Sequence, residues 1–189
     1  NDSPSLTVNQ VLTVNEGANS QTIGQTVLRA DDPDNSNDQL VFTLTQVPMN
    51  GTLRRGVTTL SNSMTFSQRD INAGNLNYSH DDGETTAVSF QFDLTDGTAT
   101  ISAQTYSLTI LPQNDFPVFQ TNQTLAINEG DLAVVIGQSL LETTDADDDA
   151  SALSYNLQQA PQNGQFILVT GMTVQTLATS DTFTQDDIN

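Results

Sequence analysis

Apolar residues fall on alternate positions along much of this chain. Leu40, Phe42 and Leu44 face one way, with Val41, Thr43 and Thr45 between and beyond them. Val88, Phe90, Phe92 and Leu94 alternate with Ser89, Gln91, Asp93 and Thr95, and Tyr106, Leu108 and Ile110 continue the pattern, as do Leu153, Tyr155 and Leu157. A period of two puts one set of side chains on one face of an extended strand, and the β-branched and aromatic content suits strands buried on that face. Asn50-Gly51, Asp82-Gly83 and Asp96-Gly97 punctuate these runs and suit turns that need a positive φ. Many short strands with this punctuation predict an all-β fold of Greek-key sandwiches. Residues 66–71 break the period and read as a short helical turn, with Ser67 as N-cap and Asp70 three residues on. Thr184 and Asp187 repeat that capping chemistry.

The chain also matches itself. Asn1-Asp2-Ser3-Pro4 recurs as Asn114-Asp115-Phe116-Pro117, Asn15-Glu16-Gly17 as Asn128-Glu129-Gly130, and Asn50-Gly51 as Asn163-Gly164, all at an offset of 113. Residues 66–72 recur as 183–189 at an offset of 117, so a loop of the second copy has gained four residues. Ordered matches in one register mark a tandem repeat. The expected organisation is one repeat over 1–113 and a second over 114–189. The second has no counterpart of residues 73–113, which predicts a piece of a longer array whose remaining strands come from elsewhere.

Composition narrows the setting. Of 189 residues 35% are hydrophobic, with no Trp and no Cys. No run approaches the ~20 apolar residues of a membrane span, so direct membrane insertion is not expected. Net charge is -19, from 23 acidic residues against 4 arginines and no lysine. Such a surface repels nucleic acid and anionic membranes. Absent cysteine excludes a disulfide scaffold. An exported protein, bacterial in source, is the expectation.

The acidic residues cluster. Each copy has a Glu in Asn-Glu-Gly (Glu16, Glu129), and each has a carboxylate-rich loop before the next main strand. The first loop holds Asp31, Asp32, Asp34 and Asp38 with Asn35 and Asn37; the second holds Asp145, Asp147, Asp148 and Asp149. Asn114-Asp115 lies between the copies. Like charges ~4 Å apart repel by about 1 kcal/mol in water and more in drier surroundings. Either the loops are simply solvated, as in a salt-adapted protein, or a cation neutralises them. Calcium takes about six to eight oxygen ligands, mixing carboxylates, amides and backbone carbonyls, and this composition supplies that mixture. An EF-hand starting at Asp145 is excluded, because Ala150 and Asn156 stand where Gly and Glu are needed.

Asn-Glu-Gly, Asp-Pro-Asp before a strand and Asn-Asp-x-Pro resemble the cadherin repeat. Phe-Ser-Gln-x-Asp-Ile, Leu76-Asn-Tyr78-Ser-His80-Asp81 and Phe92-Asp-Leu-Thr-Asp96-Gly97 resemble the cadherin-like repeat of the chondroitin sulfate proteoglycan type. The resemblance implies tandem immunoglobulin/cadherin-like β-sandwiches, each with a short helical turn, in a cell-surface or secreted protein with calcium between successive repeats. Carried onto matching positions, it implies Glu16, Asn114, Asp115, Asp145 and Asp147 as calcium ligands. It implies a second set in Asp70, Asp96, Asp32, Asp34 and Glu129, the last three belonging to junctions with further repeats. Asp70 has a competing role as a helix cap, and Asp96 as a hairpin residue.

No enzyme is expected. His80 is the only histidine and sits in a turn-rich segment, and no nucleophile elbow or phosphate loop occurs. The implied role is a calcium-binding module for cell adhesion, or a calcium-stiffened spacer, whose partners are neighbouring repeats and another surface protein or polysaccharide. A carbohydrate-binding module is the alternative, though no Trp is available for stacking on a sugar.

Overall fold

A computed structural model describes residues 1–189, and the chain falls into two units, Asn1–Gln113 and Asn114–Asn189. The first is built from β1 (Ser5–Asn9), β2 (Leu12–Asn15), β3 (Gln21–Thr22), β4 (Leu28–Asp31), β5 (Val41–Gln46), β6 (Thr52–Arg55), β7 (Thr58–Thr59), β8 (Thr65–Ser67), α1 (Gln68–Asn72), β9 (Leu76–Ser79), β10 (Ala87–Thr95) and β11 (Thr100–Leu111). One sheet has the order β2-β11-β10-β5-β8 and the other β3-β9-β6-β7, while β1 pairs with β4. β2 is the one parallel partner: Leu12 to Asn15 run beside Leu108 to Leu111.

The alternating positions face a common core. Leu40, Phe42, Leu44, Val88, Phe90, Phe92, Leu94, Tyr106, Leu108 and Ile110 are all buried, whereas the residues between them are partly or wholly exposed. Phe42 stacks on Phe66 with ring centroids 4.9 Å apart, and Phe90 lies 5.2 Å from Tyr106. Four Phe and two Tyr are buried together with the aliphatic residues of this core, each large side chain contributing roughly 1.5–3 kcal/mol.

The expected helical turn is α1, closed by a capping box. Ser67 Oγ accepts the Asp70 N–H at 3.2 Å, and Asp70 Oδ2 accepts the Ser67 N–H at 2.9 Å. Gln68 is also buried, and its Oε1 accepts the N–H of Ala30 on β4 at 2.7 Å. The turn glycines need positive φ at Gly51 (107°) and Gly97 (95°), but at Asp82-Gly83 it is Asp82 that adopts it, at 68°.

The second unit contains β12 (Val118–Asn122), β13 (Leu141–Thr144), β14 (Ser154–Asn156), β15 (Phe166–Thr170), β16 (Thr173–Leu177) and β17 (Thr182–Thr184) as three antiparallel pairs, β12-β13, β14-β17 and β15-β16. Thr184 and Asp187 repeat the capping contacts, and Gln185 Oε1 accepts the Thr143 N–H at 2.8 Å as Gln68 does for Ala30. An apolar groove in this unit is lined by Val134, Ile136, Phe166, Leu168 and Ile188 among others. Ile23, Leu53 and Ile71, the counterparts of Ile136, Phe166 and Ile188, are buried in the first unit, which has β9, β10 and β11 beside them. The chain is nearly all-β, with one short helix.

Candidate metal-binding sites

Two acidic groups lie at opposite ends of the β10–β11 hairpin of the first unit. Asp96 follows the last residue of β10, while Glu16 joins the end of β11. Nine residues of β10 at ~3.3 Å each separate those ends by roughly 30 Å.

At the Asp96 end the loop after β4 is folded by its own carboxylates. Asp32 Oδ1 accepts the N–H groups of Asp34 (2.8 Å) and Asn35 (2.9 Å), and Asp34 Oδ2 accepts the N–H of Asp2 (2.7 Å). Asp96 Oδ1 accepts the N–H groups of Thr98 and Ala99, both at 2.6 Å, and its Oδ2 accepts the Asn1 amide at 2.9 Å. The Ala99 N–H above all, then the Asn1 amide and the Thr98 N–H, hold the Asp96 carboxyl below the ordinary range. Asn35 Nδ2 donates to the Asp96 carbonyl at 3.4 Å. After these bonds Asp32 Oδ2 and Asn35 Oδ1 remain buried with no partner. Asp31 and Asp38 take no part: Asp31 binds the Thr7 hydroxyl and Arg29, and Asp38 pairs with Arg69 at 3.1 Å on the surface.

The second unit repeats this arrangement. Asp145 Oδ1 accepts the N–H groups of Asp147 (2.9 Å) and Asp148 (3.1 Å), and Asp147 Oδ2 accepts the Asp115 N–H at 2.6 Å. Asp145 Oδ2 is again buried and unpartnered. The Asn114 side-chain amide donates to the Asp115 carbonyl. Asp148 stands where the first unit has Asn35.

At the far end of the first unit, Glu16 is only 6% exposed. Its N–H donates to the Leu111 carbonyl, its Oε2 accepts the Gln113 N–H at 3.0 Å, and its Oε1 has no partner. Glu129 occupies the corresponding sequence position but is exposed. Glu16 is buried because β2 pairs with β11; the segment before Glu129 forms no strand. Asp70 is taken up by its capping box, so the helix-cap role holds for it. His80, in its turn-rich segment, is buried rather than on the surface, and both its ring nitrogens are engaged, Nδ1 by the Gly17 and Asp82 N–H groups and Nε2 by the Thr85 hydroxyl.

The structure brings together Asp32, Asp34 and Asp96 with Asn1, Asp2 and Asn35, and separately Asp145 and Asp147 with Asp115. It does not gather three or more acidic or histidine side chains into one compact metal cluster. The residues nonetheless fit a hard cation. Of five buried side-chain oxygens without a partner in the whole chain, four belong to Glu16, Asp32, Asn35 and Asp145. An ionised oxygen withdrawn from water and unpaired costs at least 1–3 kcal/mol, so a missing partner is the simplest account. All the donors are oxygens, which matches calcium and disfavours softer metals. Sequence reasoning did not single out Asn35 as a ligand; its amide type gave no signal apart from its place three residues after Asp32, directly behind the Asp-x-Asp.

Residues 4–110 and 117–189 match the cadherin-like family. The chain is 31% identical over 175 residues to the human "FRAS1-related extracellular matrix protein 2", covering 90% of this chain and 5% of that protein. It is 31% identical over 179 residues to "Extracellular matrix protein 3" of Lytechinus variegatus, 86% of this chain and 6% of that one. It is 30% identical over 162 residues to human "Chondroitin sulfate proteoglycan 4", 86% of this chain and 7% of that protein. The chain thus spans only a small fraction of each relative's length. These relatives are animal proteins, and none supports a bacterial source. Among solved structures, human CDH23 EC21-23 is similar at a TM-score of 0.45 and 17% identity, over 95% of this chain and 55% of that one. Human mucin-like protocadherin EC1-2 gives 0.44 and 16%, over 85% and 69%.

Proposed function

The chain belongs to the cadherin-like family, and we propose that it is a calcium-binding extracellular repeat module. Glu16 in the first unit, and Asn114, Asp115, Asp145 and Asp147 in the second, are the proposed ligands. Asp32, Asp34 and Asp96, joined by Asn35, form the matching set at the other end of the first unit. Glu129 is exposed and Asp70 is committed to its helix cap, so neither is carried forward as a ligand.

One observation carries this reading: unpartnered buried oxygens recur at Asp32 and Asp145, 113 residues apart, on loops folded by the same hydrogen bonds. The names of the relatives, extracellular matrix proteins, support a role outside the cell, and no helix is long and apolar enough to cross a membrane. Held in series, such repeats serve adhesion or act as a spacer that calcium stiffens, with neighbouring repeats and other extracellular proteins as partners. The relatives that the chain matches are named as extracellular matrix proteins, which gives catalysis no support. A polysaccharide-binding face has none in the first unit, where all six Phe and Tyr are buried.

Thermal unfolding with chelator and then with ~10 mM calcium tests the proposal. A ligand that binds only the folded state stabilises by RT ln(1 + [L]/Kd). For extracellular modules with Kd near 10⁻⁴–10⁻³ M, that is roughly 1.4–2.7 kcal/mol per site. Asp145→Asn should lose one site's share of the gain. An unchanged melting temperature on adding calcium would overturn the metal assignment.

A further inference from the structure

The apolar groove of the second unit is bordered by two backbone edges that lack a partner. In the first unit β9 lies between β3 and β6 and runs antiparallel to both. Tyr78 stands opposite Gln21 and Leu53, and Asn77 opposite Thr22 and Arg54. The residues 113 places beyond Gln21 and Thr22 are Val134 and Val135, and those beyond Leu53 and Arg54 are Phe166 and Ile167 of β15. β15 pairs with β16 alone. Residues 132–136 form no strand and make no backbone hydrogen bond to the rest of the chain. Free N–H and C=O groups beside apolar side chains are a template for an added strand.

The first unit shows what such a groove holds. Ile136, Phe166, Leu177, Phe183 and Ile188 line it. Their counterparts Ile23, Leu53, Leu60, Phe66 and Ile71 share one buried core with Leu76 and Tyr78 of β9. Two further observations narrow the occupant. Neither 132–136 nor 166–177 contains a charged residue, in a chain of net charge -19, so the flanks favour an uncharged strand. The turn at Asn163-Gly164 also keeps a clearance with nothing in it. At the matching Gly51 a β-carbon would stand 2.8 Å from the Tyr78 hydroxyl and closer still to the Ser79 carbonyl, and that hydroxyl donates to the Asn50 carbonyl. At Gly164 a β-carbon would meet nothing within 4 Å.

We propose that this groove is a strand-acceptor site, and that its occupant is an uncharged extended segment of a like repeat with the Leu-x-Tyr pattern of Leu76-Asn77-Tyr78. Entering antiparallel to β15 and to residues 132–136, the segment sets its Leu and Tyr on the apolar floor. Its backbone pairs with both free edges, and its Tyr hydroxyl donates to the Asn163 carbonyl. None of the proposed calcium ligands lines the groove, so this docking stands apart from the calcium reading.

Titration of the full chain with an end-capped synthetic peptide of the sequence of residues 73–79, followed by amide hydrogen exchange, tests this. Binding should saturate and should slow exchange at Ile136 and along β15, leaving the first unit unchanged. Tyr78→Ser in the peptide should weaken binding tenfold or more, and it leaves the fold of the chain untouched. Ile136→Pro in the chain should do the same. It removes the N–H that matches the one Ile23 donates to the Leu76 carbonyl at 2.9 Å, and the free chain makes no bond with it. The proposal is overturned if binding does not saturate, if a scrambled peptide binds equally, or if protection falls elsewhere. It is likewise overturned if the chain pairs with itself through the groove and excludes the peptide.

Discussion

Replacing Gly17 with Ala separates the two demands placed on that glycine. The left-handed φ of 64° costs an alanine ~1 kcal/mol. The added methyl also meets Asp82 Oδ1 at 2.3 Å, so the carboxylate must move. Asp82 is held by its N–H bond to His80, and forcing a group into filled space costs ~1–3 kcal/mol. The expected loss is therefore about 2–4 kcal/mol. Gly56→Ala is the control, because Gly56 has a similar φ of 57° with nothing within 4 Å of a new β-carbon. It should lose only the backbone share, ~1 kcal/mol. Both positions lie in the first unit, so urea unfolding followed by circular dichroism reads the same transition for both, and midpoints compare directly if the slope is constant. Adding Asp82→Gly to Gly17→Ala removes the obstruction and should return the loss to the Gly56→Ala level, a coupling of neighbours that a double-mutant cycle measures. The packing of Asp82 on Gly17 is refuted if Gly17→Ala costs no more than Gly56→Ala, or if the second substitution brings no recovery.

Ser67→Ala removes one arm of the α1 capping box and should cost the first unit ~1 kcal/mol in the same urea assay; a loss below a few tenths would mean that the box is not formed in solution. The Asp96 carboxyl is held below its ordinary range by the Ala99 N–H, the Asn1 amide and the Thr98 N–H. Its folded value lies below its unfolded one, so its stabilisation is full above about pH 4 and is lost as pH falls through the folded value. Thermal melts between pH 5 and 2 should show the parent approaching Asp96→Asn as acid is added, and a gap independent of pH would contradict those bonds.

The periodicity of the chain made its strands legible because burial in a sandwich selects every second side chain, and Val88, Phe90, Phe92 and Leu94 are buried in that order. The helix cap was legible too, since Ser67 and Asp70 interact within one turn. What local pattern could not show was long-range pairing. Glu16 and Glu129 share the same tripeptide, yet only Glu16 is buried, because β2 lies beside β11 in the first unit alone. Gln68 and Gln185 were passed over as parts of a repeated string. Each is a buried amide that accepts a backbone N–H from a distant strand and donates to an Asn four residues on, which explains why Gln and Asn recur there together. His80 lies in a turn-rich segment, and neither its burial nor its bond to Gly17 follows from the residues that flank it.

The acidic loops had two readings in the sequence, solvated or cation-bound, and the hydrogen bonds favour the second. A solvated carboxylate has no reason to hide an oxygen, since rotation about its side-chain bonds would return both to water. At Asp32 and Asp145 the two neighbouring N–H groups fix one oxygen and thereby turn the other inward, in both copies alike. Tyr106 is the instructive exception, the one buried unpartnered oxygen outside the acidic groups. It is a neutral phenol whose burial raises its pKa, so the core keeps it uncharged. A carboxylate near neutral pH has a different recourse, which is a positive partner. The chain has only four arginines, and Arg29 and Arg69 are paired with Asp31 and Asp38. A hard divalent cation, the kind that all-oxygen donors select, would supply the charge that these oxygens lack, as the proposed calcium binding requires.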